Sequence, residues 1–205
     1  MDHLAEVKKG ARFEFGKNWT KFLTCLNEQI ILNAQKSFLD MMGTTDLKGK
    51  TFLDIGCGSG IVSLVAKRLG AEVRSFDFDV NSVNCADALK EKFFLEDQGW
   101  LISEGSILDD AFISQLGKFD IVYSWGVLHH TGKMWDAIKN AASLCKENGL
   151  FFISIYNDQG WASRCWWWVK KLYNSVGPFA KQIIIAMCFL RLWGPSMIKD
   201  FLRLK

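Results

Sequence analysis

Apolar positions along this 205-residue chain fall into two alternating rhythms. Short, dense runs occur at Thr51–Ile55, Glu72–Phe76, Trp100–Ser103, Phe119–Ser124 and Leu150–Ile155, and each reads as a strand. Between them, over Ile61–Leu69, Val83–Glu96 and Met134–Cys145, apolar residues recur every three or four positions and a glycine follows. Those are helices. Ahead of the first strand, Trp19, Phe22, Leu23, Leu26, Ile30, Ala34 and Phe38 share one face of a long helix that Asn18 would cap and Gly43 would end. Strands alternating with helices predict an α/β domain with a parallel sheet. Leu150–Ile155, apolar but for Ser154, has the composition of a strand covered on both faces. After Asn157 the strand rhythm stops. Trp161–Ser175 reads as a helix with a polar stripe of Ser163, Arg164, Lys170, Lys171 and Asn174, and Trp167 sits inside that stripe. Beyond Gly177-Pro178, Phe179–Trp193 is apolar nearly all round.

The chemistry is concentrated where strands end. The first strand runs into Asp54-Ile-Gly56-Cys57-Gly58-Ser-Gly60, with a helix directly behind. Glycine tolerates positive φ and has no Cβ, so backbone N–H groups can approach a ligand over such a turn. A dinucleotide site would want a glycine where this chain has Ile61, and an acid just before the turn repels phosphate and suits a cation. Asp77 closes the second strand, where an acid can accept both hydroxyls of a ribose, and Phe78 beside it can cover a base. Asp79 or Asn81 is better placed to cap the next helix. Two of the three histidines, His129 and His130, follow the fourth strand. Histidine is the side chain best suited to take a proton near neutral pH, although such a residue also serves structural roles. Tyr156 and Asn157, at the end of the fifth strand, face the same edge and are candidates for substrate contact; an Asn-Asp turn is the alternative there.

The pattern Asp54-x-Gly56-x-Gly58-x-Gly60 resembles motif I of the class I S-adenosylmethionine (SAM) methyltransferases. Trp125-Gly-Val-Leu-His-His-Thr131 resembles the motif after the fourth strand in the small-molecule group that includes the quinone-biosynthesis enzymes, and Phe13–Trp19 resembles that group's N-terminal lid. The resemblance covers about residues 50–157. It implies a Rossmann-like sheet in the order 3-2-1-4-5 with helices on both faces. It places Asp54, Gly56, Cys57, Gly58 and Gly60 at the amino-acid end of SAM and Asp77 at the ribose. Phe78, Ser106 and Ile107 would surround the adenine, Ser106 standing where many relatives carry an aspartate. Ser124, Trp125 and Gly126 would complete the cofactor wall. Phe15, Trp19, His130, Tyr156 and Asn157 would meet a small-molecule acceptor. His130 fits the motif better than His129 as a base; for both, orienting the loop is the other role. The product would be S-adenosylhomocysteine, and no metal is expected. The acceptor would be methylated on oxygen or carbon and would be aromatic, quinol-like or lipid-like.

Composition narrows the partners. Six scattered cysteines without a C-x-x-C pair suggest reduced thiols in a cytoplasm, and the N-terminus has no secretory pattern. The net charge of +3 is uneven: from Trp161 onward eight Lys/Arg face one acid, Asp200. The chain therefore divides into an N-terminal helical cap (1–45), a SAM-binding domain (46–160) and a basic, Trp-rich helical extension (161–205). Relatives normally end in an antiparallel hairpin, which this extension replaces. Its helices would first of all cover the bare sheet edge; binding to a membrane surface or a protein is the second expectation, and a chain shorter than its relatives and incomplete is the third. Two other functions compete: a non-catalytic SAM-fold protein acting by interaction, and an RNA methyltransferase using the basic tail. Against nucleic acid, neither proline stands in the Asn/Asp-Pro-Pro-aromatic motif of amino-base enzymes. The oligomeric state is not legible.

Overall fold

A computed structural model describes residues 16–203. The chain divides into two compact units, one running to Tyr156 and one from Asn157 onward. In the first, helices α1 (Gly16–Cys25) and α2 (Glu28–Met42) precede β1 (Thr51–Ile55), α3 (Ile61–Arg68) and β2 (Glu72–Asp77). There follow α4 (Val80–Phe94), β3 (Trp100–Glu104), α5 (Asp110–Ser114) and β4 (Phe119–Trp125). A 3₁₀ turn (Leu128–His130), α6 (Met134–Ser143) and β5 (Cys145–Ser154) complete it. The five strands form one sheet, all neighbours parallel, in the order β3-β2-β1-β4-β5. This is the Rossmann-like order the motifs imply.

Strand alternation builds a core on each face. Phe52, Val73 and Ile121 point to one side, where they meet Ile31 and Phe38 of α2, Leu64 of α3 and Leu89 of α4. Leu53, Ile55 and Val122 point to the other, against Ile113 of α5 and Ala137 and Ala141 of α6. Order reverses between β1 and β4, so their carboxyl ends open a crevice, the usual ligand position in such sheets.

Several boundaries differ from the expected ones. The long N-terminal helix is two helices: Asn27 adopts an extended backbone, and its side chain accepts the Ile30 N–H at 3.0 Å, starting a new helix. Asn18 is thus not a cap but lies inside α1, whereas Gly43 does end α2 in the left-handed conformation. Helix α5 is additional; Asp109 caps it by accepting from the Ala111 and Phe112 N–H groups. Helix α6 stops at Ser143 because β5 begins earlier, at Cys145. The Lys146–Gly149 turn is absorbed as an irregularity, with Cys145 opposite Phe119 but Leu150 opposite Ile121.

The second unit holds two helices, α7 (Trp161–Ser175) and α8 (Pro178–Arg203). The latter runs ten residues past the sequence expectation, with Pro195 inside it. Neither helix has a buried residue. Among the described residues no helix is long and apolar enough to cross a membrane.

Candidate functional site

The crevice at the β1/β4 switch point is a cavity of about 720 Å³, lined by α1, by the carboxyl ends of β1, β2 and β4 with the segments that follow them, by the loop after β3 and by Tyr156 past β5. Its floor is the glycine turn. Gly56, Gly58 and Gly60 all have positive φ, between 55° and 79°, which an L-side chain would strain to adopt. They are also closely approached by neighbours. A Cβ on Gly56 would lie 2.5 Å from Val127, one on Gly58 2.9 Å from the Trp19 indole nitrogen, and one on Gly60 2.8 Å from Ala86. Gly60 therefore seats α3 against α4 rather than lining the cavity.

Two carboxylates flank this turn. Asp54 is 2 % exposed and accepts the Ser63 hydroxyl at 2.5 Å. Ser63 also contacts the Ser75 hydroxyl at 2.7 Å, and Ser75 accepts the Trp100 indole N–H at 2.9 Å, so a buried polar chain runs under the cavity. Burial raises Asp54 to about 7, against the pull of the Ser63 hydrogen bond and with added repulsion from Asp77. Asp77 accepts the Gly58 N–H with one oxygen and the Asp79 N–H with the other, both at 2.9 Å. It too is pushed upward by burial, opposed by those N–H groups. Both acids line the cavity, and among the described residues lining it there is no lysine or arginine.

Helix α1 forms a roof. Trp19 and Phe22 project into the cavity and pack edge to face, with ring centroids 6.2 Å apart. The helix is moored by its first residue: the Gly16 N–H donates to Asp79 at 2.8 Å, and the other Asp79 oxygen caps α4 through the Asn81 N–H at 3.0 Å. Thr20 adds a contact to the Cys85 thiol at 3.7 Å.

Of the predicted site residues, Trp19, Asp54, Gly56, Cys57, Gly58 and Asp77 lie on the cavity wall. So do Phe78, Ser106, Ile107, Trp125, Gly126, His130 and Tyr156. Ser106 already accepts the Leu108 N–H at 3.2 Å, which leaves its O–H to donate. Ser124 stands behind the wall, its hydroxyl donating to the Ile55 carbonyl at 3.0 Å. His129 does as well. Neither of its buried ring nitrogens has a hydrogen-bond partner among the described residues, and burial first, then His130, lowers its basicity. Its ring packs against Tyr156 and His130, with centroids 4.4 and 4.1 Å away. Asn157 belongs to the second unit, and Phe15 lies outside the described residues.

The sequence reading missed Asn18, Phe22, Tyr123 and Val127 as lining residues and Asp79 as the mooring of α1. Period-two alternation from Trp125 would have found Tyr123, whose ring stacks on Phe152 at 5.5 Å and lies 6.5 Å from Trp125. Helical spacing from Trp19 would have found Phe22. Among the described residues, no group of three or more His, Cys, Asp and Glu side chains is arranged to hold a metal.

The donor set can be tested against a ligand. Three acids (Asp54, Asp77 and Asp79), a glycine turn presenting backbone N–H groups, aromatic walls and, among the described lining residues, no lysine or arginine suit a nucleoside that carries a cation and no phosphate. Comparisons with known proteins agree. The ubiquinone biosynthesis O-methyltransferase of Glaesserella parasuis serovar 5 is 36% identical over 114 residues, covering 56% of this chain and 48% of that one. That of Methylobacterium sp. (strain 4-46) is 29% identical over 118 residues, covering 58% and 45%. The chain thus spans about half the length of these curated relatives. A crystal structure described as a putative S-adenosyl-L-methionine-dependent methyltransferase from Methanococcus maripaludis shares the fold, with a TM-score of 0.56, 20% identity and coverage of 70% of this chain and 65% of that one. Residues 26–181, more than half of the sequence, match the family described as "Methyltransferase domain", and the chain belongs to that family.

Proposed function

We propose that the protein transfers a methyl group from SAM to a small-molecule acceptor. The observation that carries this reading is the pair of acids, buried Asp54 and half-buried Asp77, on either side of a glycine turn in a cavity whose described lining has no lysine or arginine. SAM, when bound, supplies a methyl group on a sulfonium that is already an activated leaving group. The protein's share is then to bind, orient and exclude water. In this reading Asp54 neutralises the ammonium of the amino-acid end, with help from the Gly56–Gly60 turn. Asp77, its oxygens fixed by two backbone N–H groups, accepts the ribose hydroxyls. Phe78, Ser106 and the Ile107 N–H meet the adenine. Ser124 and Gly126 shape the wall from behind and below, and the α1 roof keeps water out.

The remaining space lies among Trp125, Tyr123, Tyr156 and His130. An acceptor with a flat apolar face fits these rings, and the ubiquinone-named relatives favour a phenolic oxygen as the methylated atom. For such an acceptor His130 takes the hydroxyl proton as the oxygen attacks. His129, packed and of lowered basicity, holds the His130–Tyr156 wall. Beyond the acceptor, the partner inferred at residues 161–205 is a membrane surface or a protein.

The test is a methyl-transfer assay with SAM and a catechol acceptor. Wild-type protein should turn over, and His130→Ala should lower kcat by roughly 100-fold, in the range expected for removal of a general base, with S-adenosylhomocysteine affinity intact. A His130→Ala variant as fast as wild type would remove His130 from the chemistry.

A further inference from the structure

We propose that the second unit is an in-plane anchor for an anionic lipid bilayer, with α8 lying in the headgroup boundary. In α8, Phe179, Ile183, Leu190, Trp193, Met197 and Phe201 follow one another in helical steps of three, four or seven. At 3.6 residues per turn they form one stripe about 33 Å long. All six are exposed, Phe179 by 82% and Phe201 by 70%. No charged residue interrupts the stripe. The side of α8 that carries Ile184 and Cys188 is partly covered, and there α7 packs on it, with the Lys181 ammonium 5.2 Å from the Tyr173 ring. The apolar stripe is therefore not the α7-facing surface. An exposed apolar stripe of this length is uncommon on a soluble surface and marks an interaction site.

Charge decides what it meets. From Trp161 onward the sequence carries eight Lys/Arg against Asp200, and helical spacing puts Lys181, Arg191, Lys199 and Arg203 on the side of α8 away from the stripe. A second copy would bring a second strongly cationic segment against the first; a bilayer with anionic headgroups neutralises it. The aromatic residues match this. Five of the nine tryptophans lie in this unit. On α7 the Lys171 ammonium sits 4.9 Å from the Trp167 ring and 5.2 Å from the Trp168 ring, both of them exposed. Tryptophan paired with lysine at a polar–apolar seam is the composition of a membrane interface. Because neither helix can cross a bilayer, the helices lie along it.

The anchor does not rest on the methyltransferase reading, and its test separates the two. The full chain is sedimented with vesicles of phosphatidylcholine alone and with vesicles half phosphatidylglycerol, alongside titration with S-adenosylhomocysteine. Expected is binding to the anionic vesicles that is at least tenfold stronger than to the neutral ones and weakens as salt is raised. Leu190→Glu with Met197→Glu should abolish it, and Lys170→Glu with Lys171→Glu should weaken it at least tenfold, all variants titrating like wild type. No sedimentation with either vesicle, or binding indifferent to Leu190→Glu with Met197→Glu, overturns the proposal. So does a dimer in ultracentrifugation that the same pair of changes dissociates while vesicles go unbound; the stripe is then a subunit interface.

Discussion

Asp54 is the residue whose chemistry is most altered by the fold. It sits at the end of a central strand, under the glycine turn, with Ser63 as its hydrogen-bond donor. Burial raises it to about 7, so in the free protein it keeps its proton below that pH and carries charge above it. Folded and unfolded states then differ in bound protons between the ordinary carboxylate range and 7, and the free protein loses stability as pH rises through that window. A bound ammonium needs the charged form. Affinity for SAM should therefore fall as pH is lowered through 7, approaching tenfold per unit at the acid end, and Asp54→Asn should flatten that slope. Calorimetric titration at pH 6.0, 6.5, 7.0 and 7.5 measures it; an unchanged slope in Asp54→Asn places the proton elsewhere. His129 shows the opposite response to burial. A base loses its proton where an acid keeps it, which is why the better-hidden histidine of the pair is the poorer candidate for proton transfer.

At the scale of elements, the start of the roof is tied to one carboxylate. Asp79 caps α4 and accepts the Gly16 N–H of α1, so two elements that line the cavity share an anchor. Gly16 makes this possible, because a Cβ there would lie 2.5 Å from Asn81 and 2.6 Å from the Asp79 oxygen. Gly16→Val should push α1 off its mooring, weaken S-adenosylhomocysteine binding several-fold and raise hydrogen exchange in residues 18–25, while the sheet stays protected. Equal protection of α1 in the variant would show that the roof is held by other contacts. Nothing in the sequence announced this tie, since it joins residues 63 positions apart. What was legible had local causes. The five apolar runs, the Gly43 stop and the Asp79 cap each follow from a residue and its near neighbours. The break at Asn27 was hidden by an apolar spacing that continues unbroken through it, from Phe22 and Leu26 to Ile30; only the competing side-chain bond to the Ile30 N–H ends one helix and starts the next. Likewise Asp77 was legible from its strand-end position, whereas the withdrawal of Ser124 and His129 behind the wall depends on the local path of the chain after β4.

At the scale of the molecule, the two units present two different surfaces. The first unit offers an acid-lined cavity over the glycine turn, and the second a basic, aromatic pair of helices. The family match, residues 26–181, takes in the sheet and stops near the start of α8. The roof helix α1 and most of the apolar stripe thus lie outside it. The cavity nevertheless decides the account. The most direct measurement is calorimetric titration of S-adenosylhomocysteine into wild-type protein and into Asp77→Ala at neutral pH. Saturable one-to-one binding by wild type and a loss of more than tenfold in the variant, with its circular dichroism unchanged, is the predicted result. Equal affinity in both proteins, or no heat from wild type at millimolar ligand, contradicts it.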